Sequence, residues 1–485
     1  MNYKIIARFI SMILAIEAGF LCLPIVWAII DKELQVIVSF LISAAAAGLL
    51  AFVLWLVSRN ASRTYFAKEG MVCVGLSWIA ISLCGALPFV LSGQIPNFLN
   101  ALFEIVSGFT TTGASILTAV EGMSRAILFW RSFSHWLGGM GVLVFLLAII
   151  PNNSRDSGLS MHLMRAESPG PSVSKLVPMM RQSAMILYLI YMALTVLDII
   201  FLVFDMSFFE AVCTAFGTAG TGGFGIRNDS LASHSPYVQI VTTVFMTLFG
   251  INFACYYLLL MRKIKNVLKD EELRFYILFI LISAGVIAVN IHSLYDSWGE
   301  AIRHSSFQVA SVMTTTGFAT ADFNLWPTLS KCILLALMVI GSCAGSTGGG
   351  FKCFRILLIA KTAKRNLQQI LHPQRIKLIR INGQVVDEKI IAGTGAYLGI
   401  YCFILLISTV LVGIDGGQSV LTSFTSVIAC LNNIGPGLDA VGPTGNYAAL
   451  APLSKVVLIF DMLAGRLEIY PVLLLFSINT WRRKS

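Results

Sequence analysis

Residues 110–113 read Thr110-Thr111-Thr112-Gly113, and three further glycine-centred loops follow later in the chain. They are Gly220-Thr221-Gly222-Gly223, Thr314-Thr315-Thr316-Gly317 and Asn432-Asn433-Ile434-Gly435. Each follows a run typical of a short amphipathic helix that enters a membrane from one side. Four such loops around one axis would form a ring of backbone carbonyls, which can replace the water shell of a cation at membrane depth. The four loops therefore predict an ion pore.

The composition indicates a polytopic membrane protein. Of the 485 residues, 57% are hydrophobic and 12% are charged, which leaves too little polar surface to solvate a globule of this length. The apolar runs are long enough to cross a hydrocarbon layer of ~30 Å as helices of roughly 20 residues, and they lack the alternation of a β-barrel. We interpret the first run, residues 10–30, as a retained helix, because it is too long for a signal sequence and lacks a clear cleavage site.

Ten cysteines are scattered through the apolar runs, without a Cys-x-x-Cys pair or a neighbouring histidine. This pattern predicts small buried hydrophobic residues rather than disulfides or metal ligands. The cysteines are Cys22, Cys73, Cys84, Cys213, Cys255, Cys332, Cys343, Cys353, Cys402 and Cys430.

The net charge of +10 marks one face of the membrane. Basic clusters recur after each pair of long apolar helices, so the chain returns to the same face each time. By the positive-inside rule this face is cytoplasmic, and both termini are expected there. The clusters comprise Lys4, Arg8, Arg59, Arg63 and Lys68; Arg155, Arg165, Lys175 and Arg181; Arg262, Lys263, Lys265, Lys269 and Arg274; Lys352 through Lys389; and Arg482, Arg483 and Lys484.

This spacing divides the chain into an N-terminal two-helix hairpin and four pore repeats. The hairpin covers residues 1–68, and the repeats cover 69–181, 182–274, 275–387 and 388–485. Because every repeat begins and ends on the cytoplasmic face, the repeats are parallel and related by an axis along the membrane normal. The predicted fold is an all-α polytopic membrane protein, with four helix, pore-helix, filter, helix repeats around a pseudo-four-fold central pore.

A phenylalanine ahead of each loop supports the repeat. It lies eight residues ahead in the first and third repeats and nine in the fourth, but twelve in the second. The sequence thus predicts a longer approach to the loop in the second repeat. The phenylalanines are Phe103, Phe209, Phe307 and Phe424.

The stretches before the loops, such as 103–110 and 301–313, are too short to span the membrane. Each is expected to be a pore helix that enters from outside and returns as an extended loop, which is tolerated at that depth only inside protein or beside a wet cavity. Glycine suits such a loop because it reaches a positive φ at no steric cost and lets carbonyls turn toward the axis. The alternative is that the loops are ordinary turns between helices.

At these motifs the chain resembles the Trk/Ktr/HKT superfamily of cation transporters. The resemblance covers essentially the whole chain, and the extra N-terminal helix pair and the length indicate its TrkH branch of potassium-uptake proteins. It is carried by TTTGAS at 110–115, AGTGGFG at 219–225, TTTGFAT at 314–320, GSTGGGFK at 345–352, NNIGPG at 432–437 and GRLEIYP at 465–471.

The resemblance implies that each repeat contributes one filter strand, whose glycine is associated with selectivity for potassium over sodium. The second and fourth loops depart from the Thr-Thr-Gly pattern, so their register is open by one residue. The filter is shorter than the TVGYG of potassium channels, which predicts fewer ion sites and looser selectivity. The residues expected to bind K⁺, through backbone carbonyls, are Thr111, Thr112, Gly113, Gly220, Thr221, Gly222, Gly223, Thr315, Thr316, Gly317, Asn432, Asn433, Ile434 and Gly435.

A glycine-rich run in the third repeat predicts a break in the middle of the membrane. Residues 341–350 lie some ten residues below Lys331, at ~1.5 Å per helical residue, and half of them are glycine. Glycine costs ~1 kcal/mol in a helix interior, so the helix should open into a loop. A small-residue packing face between helices is the alternative. The predicted gating residues are Gly345, Ser346, Thr347, Gly348, Gly349 and Gly350.

Arg466 completes the predicted gate. It lies eleven residues below Lys455 and sixteen above Arg482, which also places it near the midplane. An intramembrane arginine is a functional candidate, because even lenient scales put ~2.5 to 3.5 kcal/mol against its insertion. It would place a positive charge under the filter, and the resemblance implies the same pair of constrictions. The alternative is a packed ion pair with Asp461 or Glu468.

The basic segment from Lys361 to Lys389 is expected to contact anionic membrane lipid or to dock a partner. The chain has no dinucleotide-binding or Walker pattern, so nucleotide control would come from another protein. The resemblance implies a homodimer and a cytosolic TrkA-like nucleotide-binding regulatory subunit. We expect no cofactor in this chain and no nucleic-acid partner, with K⁺ as the transported ion.

The predicted function is potassium uptake across the bacterial cytoplasmic membrane through a gated carbonyl filter. The alternative is a symporter with alternating access, in which K⁺ entry is tied to H⁺ or Na⁺. Its titrating acid would be Asp198, Asp461 or Glu468. An intramembrane enzyme would need a His/Asp/Glu cluster at one depth, and none is evident, so the chain is not expected to be an enzyme.

Overall fold

The computed structural model describes residues 1–59, 67–139, 141, 180–374, 377–414 and 416–481. Within these residues the protein is all-α apart from one two-stranded hairpin, so the predicted fold class is confirmed. Several residues of the predicted basic clusters lie outside the described ranges: Arg63, Arg155, Arg165, Lys175, Arg482, Arg483 and Lys484.

The N-terminal helices are α1 (Tyr3–Phe20), α2 (Ile25–Ile30) and α3 (Leu34–Ser58). The first predicted helix therefore begins earlier than expected and is interrupted before Ile25. Pro24 lies at this interruption, and a proline has no amide hydrogen to continue the helical ladder. α1 packs along α3, with Leu14 and Phe40 fully buried.

The remaining helices follow the order of the four predicted repeats, but the first helices of repeats one to three begin at Ala67, Met180 and Glu271, ahead of the predicted boundaries at 69, 182 and 275. The first repeat contains α4 (Ala67–Gly85), α5 (Leu87–Leu91), α6 (Phe98–Phe109) and α7 (Arg125–Gly139). The second contains α8 (Met180–Val203), α9 (Phe208–Gly220), α10 (Pro236–Phe249), α11 (Phe253–Leu260) and α12 (Ile264–Leu268). The third contains α13 (Glu271–Ile291), α14 (Trp298–Met313), α15 (Thr328–Ile340) and α16 (Cys353–Leu371). The fourth contains α17 (Glu388–Gly413), α18 (Val420–Leu431), α19 (Pro452–Arg466), α20 (Tyr470–Phe476) and α21 (Ile478–Trp481).

Short elements join these helices. Three 3₁₀ turns lie at His292–Leu294, Phe323–Leu325 and Asp439–Val441. Between α16 and α17, strand β1 (Arg380–Ile381) pairs antiparallel with strand β2 (Gln384–Val385).

Six described stretches are long and apolar enough to cross a membrane: 3–30, 34–58, 68–91, 184–203, 271–294 and 388–413. The α10–α11 pair would make a seventh. Large apolar side chains such as Leu49, Leu281 and Val410 are exposed on these helices. Lipid tails would cover such apolar side chains. The helices can lie in hydrocarbon because each satisfies its own backbone hydrogen bonds. The chain is a multi-pass membrane protein.

Four shorter helices precede the glycine-centred loops. α6, α9, α14 and α18 have 12, 13, 16 and 12 residues, or ~18 to 24 Å, which is too short to span the membrane. Each starts at a side-chain cap that accepts a backbone hydrogen bond from the first turn. The caps are Asn97, Ser207, Ser297 and Ser419.

The longest of these approaches lies in the third repeat, where α14 is the longest helix. The prediction of a longer approach in the second repeat is therefore wrong. Its basis was Phe209, which lies in the first turn of α9, whereas Phe103 lies in the middle of α6. The two phenylalanines are not equivalent, because the polar cap sets the start of each helix.

Within the described ranges, the last helix is broken in the second, third and fourth repeats. α10 and α11 meet at an angle of 89°, α15 and α16 are separated by residues 341–352, and α19 and α20 by residues 467–469. The sequence predicts only the break in the third repeat. In the second repeat Asn252 caps α11 by accepting the Ala254 amide, which supplies a new helix start inside the apolar run.

All ten cysteines are free thiols, and seven of them are buried, as small apolar residues would be. Cys22, Cys332 and Cys402 are exposed. Among the described residues no group of three or more His, Cys, Asp or Glu side chains is placed to hold a metal ion.

Candidate ion pathway

The four glycine-centred loops share one backbone shape. Each has a non-glycine residue at a φ between 54° and 60°, followed two residues later by a glycine at a φ between 74° and 95°. The first group comprises Thr111, Thr221, Thr315 and Asn433, and the glycines are Gly113, Gly223, Gly317 and Gly435. This left-handed geometry costs energy for residues with a Cβ, so its recurrence indicates a common constraint on all four loops.

One hydrogen bond recurs in every loop. The amide of the residue before the glycine donates to the carbonyl five residues earlier, at 2.8 Å in each case. The donor and acceptor pairs are Thr112 and Ser107, Gly222 and Gly217, Thr316 and Ser311, and Ile434 and Ala429.

These bonds give the register of the second and fourth loops, which the sequence leaves open. Gly223 and Gly435 are equivalent to Gly113 and Gly317. Gly220 is the last residue of α9, and Asn432 directly follows α18. Both therefore lie at the junction of helix and loop, one residue before the shared left-handed position.

The loops close into a ring. A Cβ on Gly113 would overlap the carbonyl oxygen of Gly222, a Cβ on Gly223 that of Thr316, and a Cβ on Gly317 that of Ile434. A Cβ on Gly435 would lie 2.7 Å from the Thr112 oxygen. Each glycine thus makes room for the carbonyl of the next loop, in the order first, second, third, fourth and back to first. Only glycine allows both the close approach and the positive φ.

Side-chain oxygens lie beside the backbone ring. The Thr110 and Thr112 hydroxyls hydrogen-bond each other at 2.8 Å, and those of Thr314 and Thr316 at 2.7 Å. The Thr111 hydroxyl is buried and has no hydrogen-bond partner within the described residues. Uncharged oxygens of this kind are the ligands that hard cations take.

A cavity of about 170 Å³, here called the outer cavity because the basic clusters predict that it faces away from the cytoplasm, opens onto the ring. All four loop glycines line it, so the loops meet around a common mouth. Two arginines, Arg131 and Arg227, also line this cavity.

The loop 341–352 lies directly against the inner side of the ring. The Gly349 amide donates to the Thr315 hydroxyl at 2.6 Å, and the Gly350 amide donates to the Asn432 carbonyl at 3.0 Å. A Cβ on Gly348 would come within 2.6 Å of the Thr314 carbonyl oxygen. The helix is interrupted here, so the alternative of a helical small-residue packing face is wrong.

Arg466, at the end of α19, connects this loop to the first repeat. Its guanidinium donates to the Thr347 carbonyl at 2.8 Å, to the Gly139 carbonyl at 2.7 Å and to the Gly138 carbonyl. Glu468, one suggested ion-pair partner, instead pairs with Arg355. Arg466 is therefore bonded to backbone carbonyls of the loop and of α7.

Lys352, which the sequence pattern counts among the basic residues of the cytoplasmic face, is instead a buried cation at the end of the loop. It is buried, has a φ of 80°, and its ammonium donates to the Gly348 carbonyl. Its position two residues after the glycine run, directly before the next helix, is the signal that could have identified it.

The three acids considered for symport lie in different surroundings. Asp198 on α8 is fully buried, and neither carboxylate oxygen has a hydrogen-bond partner in the described part of the chain. Asp461 accepts the Ser408 hydroxyl at 2.7 Å. Glu468 is neutralised by Arg355, which also stacks over Tyr397 at 4.1 Å.

A family model described as a cation transport protein, TrkH, matches residues 35–483. The Trk system potassium uptake protein TrkH of Escherichia coli (strain K12) is 34% identical over 493 residues, covering 99% of this chain and 100% of the relative. That of Halomonas elongata is 32% identical over 498 residues, covering all of both chains. The crystal structure of the potassium transporter TrkH from Vibrio parahaemolyticus matches with a TM-score of 0.88 at 28% identity, covering 99% of this chain and 100% of that one. With its ring of loops and its matched length, the chain belongs to the TrkH family of cation transport proteins, which are transporters rather than enzymes.

Proposed function

We propose that the protein takes up K⁺ through the ring of loops. The observation that carries this proposal is the closed ring in which each loop glycine accommodates the carbonyl of the next loop. Carbonyl dipoles arranged around an axis can replace the hydration shell of a cation. The matched relatives are named as potassium uptake proteins.

The ring carbonyls are those of Thr112, Gly222, Thr316 and Ile434. Between them and the helix ends lie further oxygens from Thr111 and Asn433, whose side-chain oxygens are buried without a hydrogen-bond partner among the described residues. A dehydrated K⁺ would be coordinated by the ring carbonyls, while the Asn433 side-chain amide donates to the Thr112 hydroxyl at 2.9 Å and to the Met462 carbonyl at 3.0 Å. The short ring supports the expectation of few ion sites.

The gate in this proposal is the loop 341–352 with Arg466. The loop lies under the ring, and residues 345–350 form its central part. Arg466 places a positive charge beside the inner end of the pathway, and that charge opposes a passing cation in a low-dielectric region. Displacement of the loop and its arginine would open the route to the cytoplasm.

The proposal includes the topology and assembly that the sequence predicts. The N-terminal hairpin (1–68) precedes the pore repeats at 69–181, 182–274, 275–387 and 388–485, and both termini face the cytoplasm from the inner membrane of a bacterium. A homodimer with a cytosolic TrkA-like nucleotide-binding subunit would regulate it. The exposed basic faces of α16 and the following hairpin support contact with lipid or with such a subunit.

Reconstitution of the full chain into liposomes tests the proposal. Reversal potentials are measured with K⁺ or Na⁺ gradients, with and without a pH gradient. A reversal potential that follows the K⁺ gradient alone is the expected result. Liposomes that show no K⁺ flux above protein-free controls, at confirmed incorporation, would contradict it.

K⁺/H⁺ or K⁺/Na⁺ symport is a second candidate, favoured by the buried carboxyl of Asp198, which has no hydrogen-bond partner among the residues that the structure describes. Symport predicts that K⁺ flux carries protons or Na⁺ and shifts the reversal potential when the pH or Na⁺ gradient changes. Asp198→Asn would then abolish the coupling but leave K⁺ flux in place. In a simple pore the same substitution leaves the reversal potential unchanged.

A further inference from the structure

A buried ion pair lies behind the outer half of the ring. The Arg131 Nε atom lies 2.5 Å from Glu104 Oε1, and the side chains are 3% and 0% exposed. Glu104 is on α6 and Arg131 on α7, and neither contributes a carbonyl to the ring. Glu104 lies in the middle of its helix, whereas Glu210 lies in the first turn of α9 and forms a capping box with Ser207.

Glu104 holds the point where the chain leaves the first loop. Its carboxylate accepts the Ser115 hydroxyl at 2.9 and 3.2 Å and the Ile116 amide at 2.9 Å. Ser115 and Ile116 are the second and third residues after Gly113, where the chain leaves the ring. The carboxylate therefore limits the movement of the first loop away from the axis.

Arg131 extends this contact to the second loop. Its guanidinium donates to the Ser115 hydroxyl at 3.2 Å and to the Gly225 carbonyl at 3.0 Å, and it lies 3.8 Å from the centre of the Phe224 ring. Phe224 and Gly225 follow Gly223 where the chain leaves the second loop. One planar guanidinium thus contacts the exits of two neighbouring loops, which a lysine ammonium cannot do in the same geometry.

The other repeats hold their loop exits differently. In the fourth repeat the Thr425 hydroxyl accepts the Leu438 amide at 3.0 Å, and in the third His304 contacts the Thr320 hydroxyl at 2.9 Å. The ion pair of the second repeat, Arg227 with Glu210, has side chains 39% and 23% exposed. Within the described residues, a buried ion pair holds the loop exits only between the first and second loops.

Charge compensation makes this arrangement compatible with a cation pathway. Arg131 lines the outer cavity, where an unpaired positive charge would repel an entering cation. A charge-assisted pair is short and directional, so it positions the groups it contacts more strictly than a neutral hydrogen bond does. Glu104 thereby offsets the repulsion and holds Arg131 in its contacts with the two loop exits.

We propose that Glu104, Arg131 and Ser115, here called the outer brace, are positioning residues that set cation selectivity by holding the exits of the first and second loops at a fixed separation. This inference rests on the proposed function, since it requires the ring to be the selective element. Loosening the brace would let the carbonyls of Thr112 and Gly222 move closer to the axis, toward the smaller Na⁺.

Arg131→Lys and Ser115→Ala test the brace in full-length protein in liposomes. Arg131→Lys keeps the charge but cannot make the simultaneous guanidinium contacts with Glu104, Ser115 and Gly225. We therefore expect the K⁺ over Na⁺ permeability ratio to fall about tenfold. Ser115→Ala removes the hydroxyl shared by the pair and should lower the ratio by a smaller factor, about threefold. Arg227→Lys is the matched control, because Arg227 lines the same cavity in an exposed pair; its ratio should stay at the wild-type value.

Glu104→Gln tests the charge compensation of Arg131 separately from the positioning of the loop exits. It leaves Arg131 uncompensated, so K⁺ flux should fall, and the fall should be greater at low ionic strength, where screening is weak. Arg131→Lys should show no such salt dependence.

A folded Arg131→Lys protein with the wild-type permeability ratio would overturn the inference, as would an equal change in Arg227→Lys. If Arg131→Lys does not fold, as judged by its elution profile and melting temperature, Ser115→Ala decides the question. A wild-type protein without K⁺ flux would instead refute the proposed function, so the two failures are distinguishable.

Discussion

The outer ring and the inner loop are built from the same repeats and differ in regularity. The four outer loops share a left-handed residue, a 2.8 Å hydrogen bond and a glycine that accommodates the neighbouring carbonyl. Beneath them, the last helices are bent by 89° in the second repeat, opened at 341–352 in the third and broken at 467–469 in the fourth.

This difference follows from what each region has to do in the proposed pathway. A cation at the ring must receive equivalent oxygens from every side, so the repeats have to present the same backbone. A gate needs one element that can move against the others, and identical elements would all have to move together. The comparison therefore assigns selection to what the repeats share and gating to what differs between them.

The largest expected effect comes from breaking the ring with Gly113→Ser. The new Cβ would overlap the Gly222 carbonyl and would have to sit at a φ of 77°. We expect the permeability ratio of K⁺ over Na⁺ to fall by more than about tenfold in liposomes. Gly122→Ser is the control, because Gly122 also has a positive φ, of 92°, but has no atom within 4 Å of the added Cβ. Equal effects of the two substitutions would show that backbone strain, not the ring contact, is responsible.

Removing the charge under the ring should produce the next largest effect. Arg466→Gln breaks the contacts with the Thr347 and Gly139 carbonyls and removes a positive charge from the pathway. We expect basal K⁺ flux to rise about tenfold, with the ion selectivity unchanged, because repulsion in a low-dielectric region is lost. Arg466→Lys retains the charge and should raise the flux less. Unchanged flux in Arg466→Gln would argue against a gate at this position.

A smaller effect is expected from displacing the inner loop with Gly349→Ala. The added Cβ would overlap the Asn432 carbonyl oxygen, so the loop has to shift away from the ring. We expect a several-fold rise in basal flux in the same liposome assay, without a change of reversal potential. Gly395→Ala on α17 is the control, since its Cβ meets no atom within 4 Å, and it should stabilise the helix by about 0.5 to 1 kcal/mol. A changed reversal potential in Gly349→Ala would mean that the ring and the loop are not separate elements.

The smallest effect is expected at the outer scaffold, where Arg125 pairs with Asp31. The hydrogen bond from Arg125 lowers the pKa of Asp31 below its ordinary value. The pair therefore contributes stability above the unfolded-state pKa of about 3.9, and this contribution disappears as the pH falls through the lowered pKa. Asp31→Asn should lower the melting temperature slightly at pH 7, by less near pH 3, and leave the permeability ratio unchanged. A changed ratio would extend the selective region beyond the ring.

Sequence patterns predict the membrane class, the short helices and the four loops, because hydropathy, helix length and glycine usage are local properties. The break at 341–350 is predicted for the same reason, since five glycines in ten residues weaken any helix. The break after Phe249 is not predicted, because it depends on a single asparagine, Asn252, that caps the next helix within an otherwise apolar run. The register of Gly223 and Gly435 also needed the hydrogen bonds of the folded loops.

Contacts between repeats are still harder to predict from the sequence. Arg131 and Gly225 are 94 positions apart, and Arg466 and Thr347 are 119 apart. The local sequence around each residue does not indicate its partner, because these contacts form only when the four repeats close around one axis. The sequence by itself determined that this chain is a membrane protein with four glycine-centred loops, since burial and backbone freedom are encoded residue by residue. Only the tertiary structure decided which carbonyl faces which glycine and which carbonyls Arg466 contacts, because those contacts exist only once the repeats are packed together.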